Sequence, residues 1–493
     1  MNISKYLLMF ALVGGLPLLM TSCEDFLTST PESTYSAEGF YKTPEDFKYA
    51  IAGVYSAQKN LYNRNASWHR LIICRSDDTR TGAGYINGFD QFTDTDQVDH
   101  LLNFWQNAWV MISRCNGILD RIDAIDFADE SDKNAIKGEA YGLRAWAYFY
   151  LGWQFGGVPL IDRELTVAET KGIARSSQEE TFAFAAADFK KAIELLPEAW
   201  SGANLGRMTR YAAEAFYARM LMFQHKYSEA KPLLENVINS GKYGLEEDYV
   251  NCFTDSHDNG KERIYEIQFA GEQSGQGQSF AAGWSPWGGN GGFYPFAYSS
   301  FVYVSNELVD AYEEGDLRKD VSVITDVPNI SGIVEEGSWY VRKYCHTDAY
   351  VPQNASDAAN NIPIMRYADV LMMLSECLNE EAYNGGGEAL NLLNQIRQRA
   401  GLPALTAQDV PNQDAFRKAI QKERRVEFAF EGTRWMDLVR WGIAKEVMDE
   451  FLKAPLNGDG RYHMDDFRTI FAIPSVEIER YNDVNIMWQN PGY

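Results

Sequence analysis

The chain has 493 residues and a formal charge of −24, with 69 acids set against 45 Lys and Arg. No basic tract occurs anywhere, which argues against nucleic acids and anionic polymers as partners, since both require clustered cations. Apolar residues at 45% and charged residues at 23% are ordinary for globular proteins, but aromatics at 14% leave more rings than one core must absorb.

The opening "MNISKYLLMFALVGGLPLLMTSC" has one Lys, an apolar run from Tyr6 to Met20, and small residues before Cys23. This pattern predicts a secretory signal over residues 1–22, too short and too abruptly ended for a spanning helix. "LMTSC" resembles the lipobox of bacterial lipoproteins, with Met20 in place of the usual Leu, and so marks Cys23 for lipidation. Five Cys remain (74, 115, 252, 345 and 377), an odd number without CxxC or Cys/His metal spacing, so neither a disulfide framework nor a zinc site is expected.

Helical signals follow. "TPED" at Thr43–Asp46 combines an N-cap, a Pro in the first turn and an acid three residues on. "SQEE" at Ser177–Glu180 is a capping box, followed by Phe182, Ala186, Phe189, Ile193 and Leu196 at helical spacing, and Pro197 ends the run. Further helices are predicted over Phe104–Ile122, Lys133–Gln154, Tyr211–Phe223, Ser228–Ser240, Tyr367–Glu381, Ala389–Ala400, Asp414–Phe430 and Arg434–Leu452. Trp105, Trp109, Trp146 and Trp153 fall on helical spacing and are assigned to the core, and Trp435 and Trp441 to the core or a partner face. The segments have the lengths of antiparallel pairs, and "HKYSEAKPLLENVINSGKYGL" is a weak echo of a tetratricopeptide unit. The expected fold is therefore mostly α, a helical hairpin array with loop-rich insertions and little β structure.

Two stretches interrupt the helices. The first, residues 64–100, contains "RSDDTRTGAGYINGFDQFTDTDQ"; the second begins after the strand-like "ERIYEIQFA" and includes a Gly/aromatic loop over 271–300. Within it, "AGWSPWGGNGGFYPF" (Ala282 to Phe296) is dense in Gly and Pro, which deny it a helix and predict loop. Long loops rich in aromatics are more often functional than disordered. The chain divides on this reading into a signal (1–22), an N-terminal helical region (23–245) with the early loop, and a C-terminal region (246–493) with the Gly/aromatic loop.

Enzyme signatures are missing. There is no GxSxG, HExxH or P-loop; "GAGYING" lacks dinucleotide spacing; and the six His are scattered. What remains is stacking chemistry. A sugar's C–H face laid on a ring buries about 100 Å², worth on the order of 2.5 kcal/mol. Two or three rings with hydrogen-bonding neighbours reach affinities of about −4 to −8 kcal/mol. Trp284, Trp287 and Tyr294 are the candidate platform, with Phe293 and Phe296 assigned to packing. Trp68 and Tyr85 supply a candidate second wall, and Asp77, Asp78, Arg80 and Asn87 candidate hydrogen-bonding groups; an Arg80–Asp78 surface ion pair is the alternative for those two.

Seven ordered segments carry a resemblance to the SusD/RagB family over essentially the whole chain. They are "CEDFLTSTPES", "GEAYGLRAWAYFYLGWQFGGVPLI", "GRMTRYAAEAFYARMLMF", "IMRYADVLMMLSECLNE", "LNQIRQRAGLPAL", "IQKERRVEFAFEGTRWMDLVRWG" and "FAIPSVEIERYNDVNIMWQNPGY". The resemblance implies a lipid-anchored protein of the outer-membrane surface, built on four degenerate tetratricopeptide helix pairs and lacking enzymatic activity. It further implies that the protein captures a ligand, usually an oligosaccharide, and passes it to a partner SusC-like TonB-dependent transporter. Ligand-site residues vary in the family and are placed here by loop and chemistry alone. Peptide capture is the alternative within the fold; a helical-repeat scaffold and a glycosidase are the alternatives outside it. No cofactor is expected, and a structural calcium ion is left open.

Overall fold

The first helix starts where its cap dictates. Thr43 accepts from the Asp46 amide while the Asp46 carboxylate takes the Thr43 amide at 2.8 Å, a reciprocal capping box. In this computed structural model the described residues are 39–62, 68–81, 87–284, 302–328, 333–334 and 336–493.

Helix α1 (Pro44–Asn60) is followed by α2 (Trp68–Cys74), strand β1 (Thr79–Thr81), α3 (Asn87–Asp90) and α4 (Asp99–Leu119). Then come α5 (Glu130–Phe155), α6 (Val167–Thr170), α7 (Gln178–Leu195), α8 (Arg210–Phe223) and α9 (Tyr227–Asn239). The mixed region holds β2 (Arg263–Ile267), α10 (Phe280–Trp284), β3 (Val302–Val304), α11 (Asn306–Val309), α12 (Lys319–Ser322), β4 (Val323–Thr325), β5 (Trp339–Val341) and β6 (Ile362–Arg366). The chain closes with α13 (Tyr367–Ala382), α14 (Glu388–Arg399), α15 (Gln413–Glu427), α16 (Arg434–Arg440), α17 (Ala444–Phe451) and α18 (Ser475–Tyr481).

The protein is mostly helical, and four helix pairs carry it: α1 with α4, α5 with α7, α8 with α9, and α13 with α14. α5 is buried along most of its length, and a Cβ at Gly152 would lie 2.8 Å from the Phe182 ring of α7, so glycine there lets the two helices close. No helix among the described residues is long and apolar enough to cross a membrane.

Two expectations are corrected. Arg434–Leu452 is not one helix: Gly442, at φ +71°, ends α16 and the chain restarts at α17. Residues 64–100 are not a structureless loop either, since they contain α2, β1 and α3. The five Cys 74, 115, 252, 345 and 377 are buried, and no disulfide joins any two of them.

α15 ties the parts together, and it does so with charges. Arg424 pairs with Asp369 of α13 and Asp437 of α16. Glu427 accepts from Arg366, Arg399 and Arg318 at 2.8, 2.6 and 3.1 Å. Burial alone would raise the Glu427 carboxyl, but the three guanidinium charges hold it well below the usual range. This network joins the helix pairs to the β2–β6 ribbon, since Arg366 ends β6 and also pairs with Glu262.

Candidate functional site

Four short strands form an antiparallel sheet in the order β1-β3-β5-β4. Alternate side chains face opposite ways. Val302, Val304, Val323 and Val341 turn inward and are buried. On the other face the register sets Arg80 opposite Tyr303 and Tyr340 opposite Ile324. The Arg80 guanidinium lies 4.4 Å over the Tyr303 ring, and the Tyr303 and Tyr340 ring centroids are 5.5 Å apart. A row of one cation and two rings therefore crosses three strands, with Arg80 and Tyr303 half-buried and Tyr340 buried.

The edge of the sheet matters more than its face. Thr81, the last residue of β1, pairs with Val302, the first of β3. Residues 82–86 follow Thr81 directly and residues 285–301 precede Val302 directly. The early and the Gly/aromatic segments, distant in sequence, thus join the sheet at neighbouring positions. Behind Thr81 stands Asp90, whose Oδ2 accepts from the Thr81 amide and hydroxyl at 2.8 and 2.7 Å. Burial raises the Asp90 carboxyl to about 6 despite those bonds.

The other end of the β1–β3 pair, where Thr79 faces Val304, is held by an ionic clamp. Arg434 donates to both oxygens of Asp77 at 2.8 and 2.9 Å, and Arg425 donates to Asp78 at 2.9 Å. Ser305, just after β3, donates its hydroxyl to the Asp77 carbonyl and its amide to the Asp78 carbonyl, stitching the two strands together. Burial works to raise the Asp77 carboxyl, yet the Arg425 and Arg434 charges outweigh it and bring it down to about 2. For Asp78 burial prevails, helped by the neighbouring Asp77 charge, and the carboxyl is raised although Arg425 opposes this.

These positions correct three sequence expectations. Trp284 is not part of a loop and does not face solvent: it ends α10, is 0% exposed, and packs its ring 5.0 Å from that of Phe280. Phe280 in turn meets Tyr344 edge-on at 4.7 Å, so Trp284 belongs to the hydrophobic core. Asp77 and Asp78 are buried and not at a solvent-facing surface: Asp77 pairs with Arg425 and Arg434, and Asp78 pairs through Oδ1 with Arg425. The Arg80–Asp78 pair is replaced by the Asp78–Arg425 pair, while Arg80 stacks on Tyr303.

Of the remaining candidates, Trp68 opens α2 and Asn87 opens α3, and their side chains lie outside the described residues. Tyr85, Trp287, Tyr294, Phe293, Phe296 and Cys23 lie outside them altogether. Trp105, Trp146 and Trp153 are core as expected, whereas Trp109 is half-buried at the wall of a cleft. Tyr303 and Tyr340 escaped sequence reasoning, although "FVYVS", with a ring between two Val residues, shows the alternation of a half-buried strand. Among the described residues no group of three or more His, Cys, Asp or Glu is placed to hold a metal ion.

Helix pairs in array, with a small aromatic sheet among the segments between them, define a helical-repeat protein. The comparisons agree and are more specific. The model of the SusD family matches residues 201–493, and a second model, described as starch-binding associating with outer membrane, matches residues 25–222. The chain belongs to the SusD/RagB family. It is 28% identical over 509 residues to SusD-like protein P2 of Formosa agariphila, covering 97% of this chain and 98% of that one. Among solved structures it resembles surface glycan-binding protein A from Bacteroides fluxus at 27% identity and a TM-score of 0.79, covering 92% of this chain and 100% of the other. The fold also matches that of surface glycan-binding protein A from Bacteroides thetaiotaomicron, solved in complex with laminarihexaose, with 21% identity, a TM-score of 0.77 and coverage of 91% and 100%.

Proposed function

We propose that this protein is a cell-surface lipoprotein that binds an oligosaccharide and hands it to a SusC-like TonB-dependent transporter of the outer membrane. The observation that carries the ligand reading is the meeting of the early and the Gly/aromatic segments at the Thr81–Val302 edge, beside the Arg80–Tyr303–Tyr340 row. Trp287, Tyr294, Tyr85, Trp68 and Asn87 belong to those two segments or flank them, and in this reading they extend the row into a stacking surface. The names of the relatives support a sugar as ligand: one similar fold is a laminarin-binding SusD-like protein, and another was solved with laminarihexaose. Arg80 offers hydrogen bonds to hydroxyls while its stacking on Tyr303 limits the side-chain entropy lost on binding.

Binding without covalent chemistry is the corresponding role. Asp77 and Asp78, the carboxylates beside β1, are consumed by Arg425 and Arg434, and a glycosidase needs two carboxyl groups aimed at one bond. Lipid on Cys23 supplies the anchor, and modest affinity suffices because a closed complex with the transporter raises the effective ligand concentration.

A glycan array followed by calorimetry on lipid-free protein, with laminarihexaose as the first probe, tests the reading. Binding in the millimolar-to-micromolar range is expected, and failure of every oligosaccharide to bind would overturn it. Cys23→Ala should release the protein from the membrane fraction, and wild-type protein solubilised in detergent should co-purify with a transporter.

A further inference from the structure

The second half of α1 helps to enclose a pocket of about 250 Å³, together with residues 205–207, the end of β2 from Tyr265 to Ile267, and Gln268 and Gln276. None of these walls belongs to the four-stranded sheet. Gly206, at φ +88°, lets the chain lie close against β2, since a Cβ there would stand 2.3 Å from the Gln268 side chain. The volume falls below the roughly 300–1,000 Å³ of sites for drug-sized ligands, so the pocket suits one small molecule.

The charges in its walls do not cancel. Glu266 pairs with Arg263 at 2.8 Å, and Arg207 pairs with Glu139 at 3.0 Å. Lys59 has no acid to pair with among the described residues. Its Nζ donates to the Gln276 carbonyl at 2.7 Å and to Gln276 Oε1 at 3.1 Å, and it lies 4.7 Å from the Phe269 ring centroid, so all these contacts are neutral. Burial pushes the Lys59 ammonium down to about 8, and no carboxylate offsets the shift.

The hydrogen-bonding groups point the same way. Gln58 is 1% exposed; its amide oxygen accepts from the Tyr265 hydroxyl at 2.6 Å, while its amide nitrogen has no hydrogen-bond partner. An unpaired buried donor is unfavourable and calls for an acceptor. Gln276 gives its amide oxygen to Lys59 and keeps its amide protons. The oxygens of Glu266 and Gln268, by contrast, already accept from Arg263, Asn259 and Asn361. The pocket therefore holds one uncompensated cation and spare donors, which is the complement of an anion.

We propose that this pocket binds one acidic sugar ring, with Lys59 on its singly charged acid group, a carboxylate or a sulfate ester, and Gln58 and Gln276 donating to the ligand's oxygens. One negative charge matches the one uncompensated cation, whereas a phosphate monoester would set a second charge near Glu266. Ser56, exposed on the pocket wall, suits a ring hydroxyl. The anion follows from the pocket itself; that a sugar carries it rests on the oligosaccharide reading given above.

Calorimetry on lipid-free protein compares D-glucuronate and D-glucose 6-sulfate, which separate the two acid groups, with D-glucose and acetate. At least one acidic sugar should bind in the millimolar range, with glucose and acetate each at least about tenfold weaker. Lys59→Gln should weaken that binding at least about tenfold. A second measurement needs no variant: acetylation of Lys59 by acetic anhydride, mapped by mass spectrometry, should fall at least about threefold when the acidic sugar is present at several times its Kd. Lys453, whose side chain is 67% exposed, should react unchanged. Absence of binding by both acidic sugars, equal binding of glucose or acetate, affinity indifferent to Lys59→Gln, or an unprotected Lys59 would overturn the proposal. None of these results bears on laminarihexaose binding at the sheet, so the two readings fail separately.

Discussion

Trp284 and Tyr303 should answer oppositely when truncated. Trp284 is 0% exposed and packs against Phe280, so Trp284→Ala deletes a fully buried ring. A buried Trp removes on the order of 200 Å² from water, worth about 5 kcal/mol at ~25 cal/mol/Å². Measured costs of such truncations run about 3–5 kcal/mol, because partial collapse refills some of the space. Trp284→Phe should cost no more than about 1.5 kcal/mol: the ring stays, and the indole N–H it discards has no hydrogen-bond partner among the described residues. Tyr303 is half-buried on the outer face of the sheet, where its ring touches Arg80 and Tyr340. Tyr303→Ala should lower stability by only about 1 kcal/mol, the worth of those two contacts, but lower oligosaccharide affinity by about 1–3 kcal/mol through loss of a stacking face. Calorimetric melting and titration with the oligosaccharide found by the array read both quantities on the same samples. If Trp284→Ala melted with the wild type and lost its ligand, or if Tyr303→Ala bound normally, the placement of core and platform argued above would be wrong.

Three further outcomes follow from the buried charges. Glu427→Gln leaves Arg366, Arg399 and Arg318 facing a neutral amide and should destabilise the protein by about 3–5 kcal/mol in urea titration; a loss under 1 kcal/mol would show the network to be dispensable. Asp77, brought down to about 2 from an ordinary 3.8, binds fewer protons folded than unfolded, so its stabilisation is complete above about pH 4 and is lost as pH falls toward 2; Asp77→Asn should remove about 2.5 kcal/mol of that acid limb. Asp90, raised to about 6, has the opposite sign: the folded protein holds the proton between about pH 4 and 6, stability falls as pH rises through that window, and Asp90→Asn should remove up to about 3 kcal/mol of the fall. Equal pH slopes in wild type and both variants would contradict these assignments.

What the sequence discloses depends on how far away the deciding partner lies. Thr43 with Asp46, and Ser177 with Glu180, satisfy each other across three residues, and both helices begin where those pairs predict. The Gly442 break was equally local, yet apolar spacing continues across it in "MDLVRWGIAKEVMDEFL" (Met436 to Leu452), and only the left-handed φ shows that the helix stops. Asp77 and Asp78 failed for the opposite reason. In "RSDDTR" they look like a solvated acidic turn, and nothing nearby reveals that Arg425 and Arg434, at the other end of the chain, neutralise them in the interior. Trp284 failed because glycine and proline after a residue say nothing about what covers it; Phe280 and Tyr344 do. Tyr303 was within reach, because a strand three residues long still alternates its faces, and a ring on the outer face between two buried Val residues is a platform signal that needs no partner to be known. A site of this kind is legible to the extent that its chemistry is carried by strand register, and it is hidden where its shape is held by ion pairs that only the folded chain brings together.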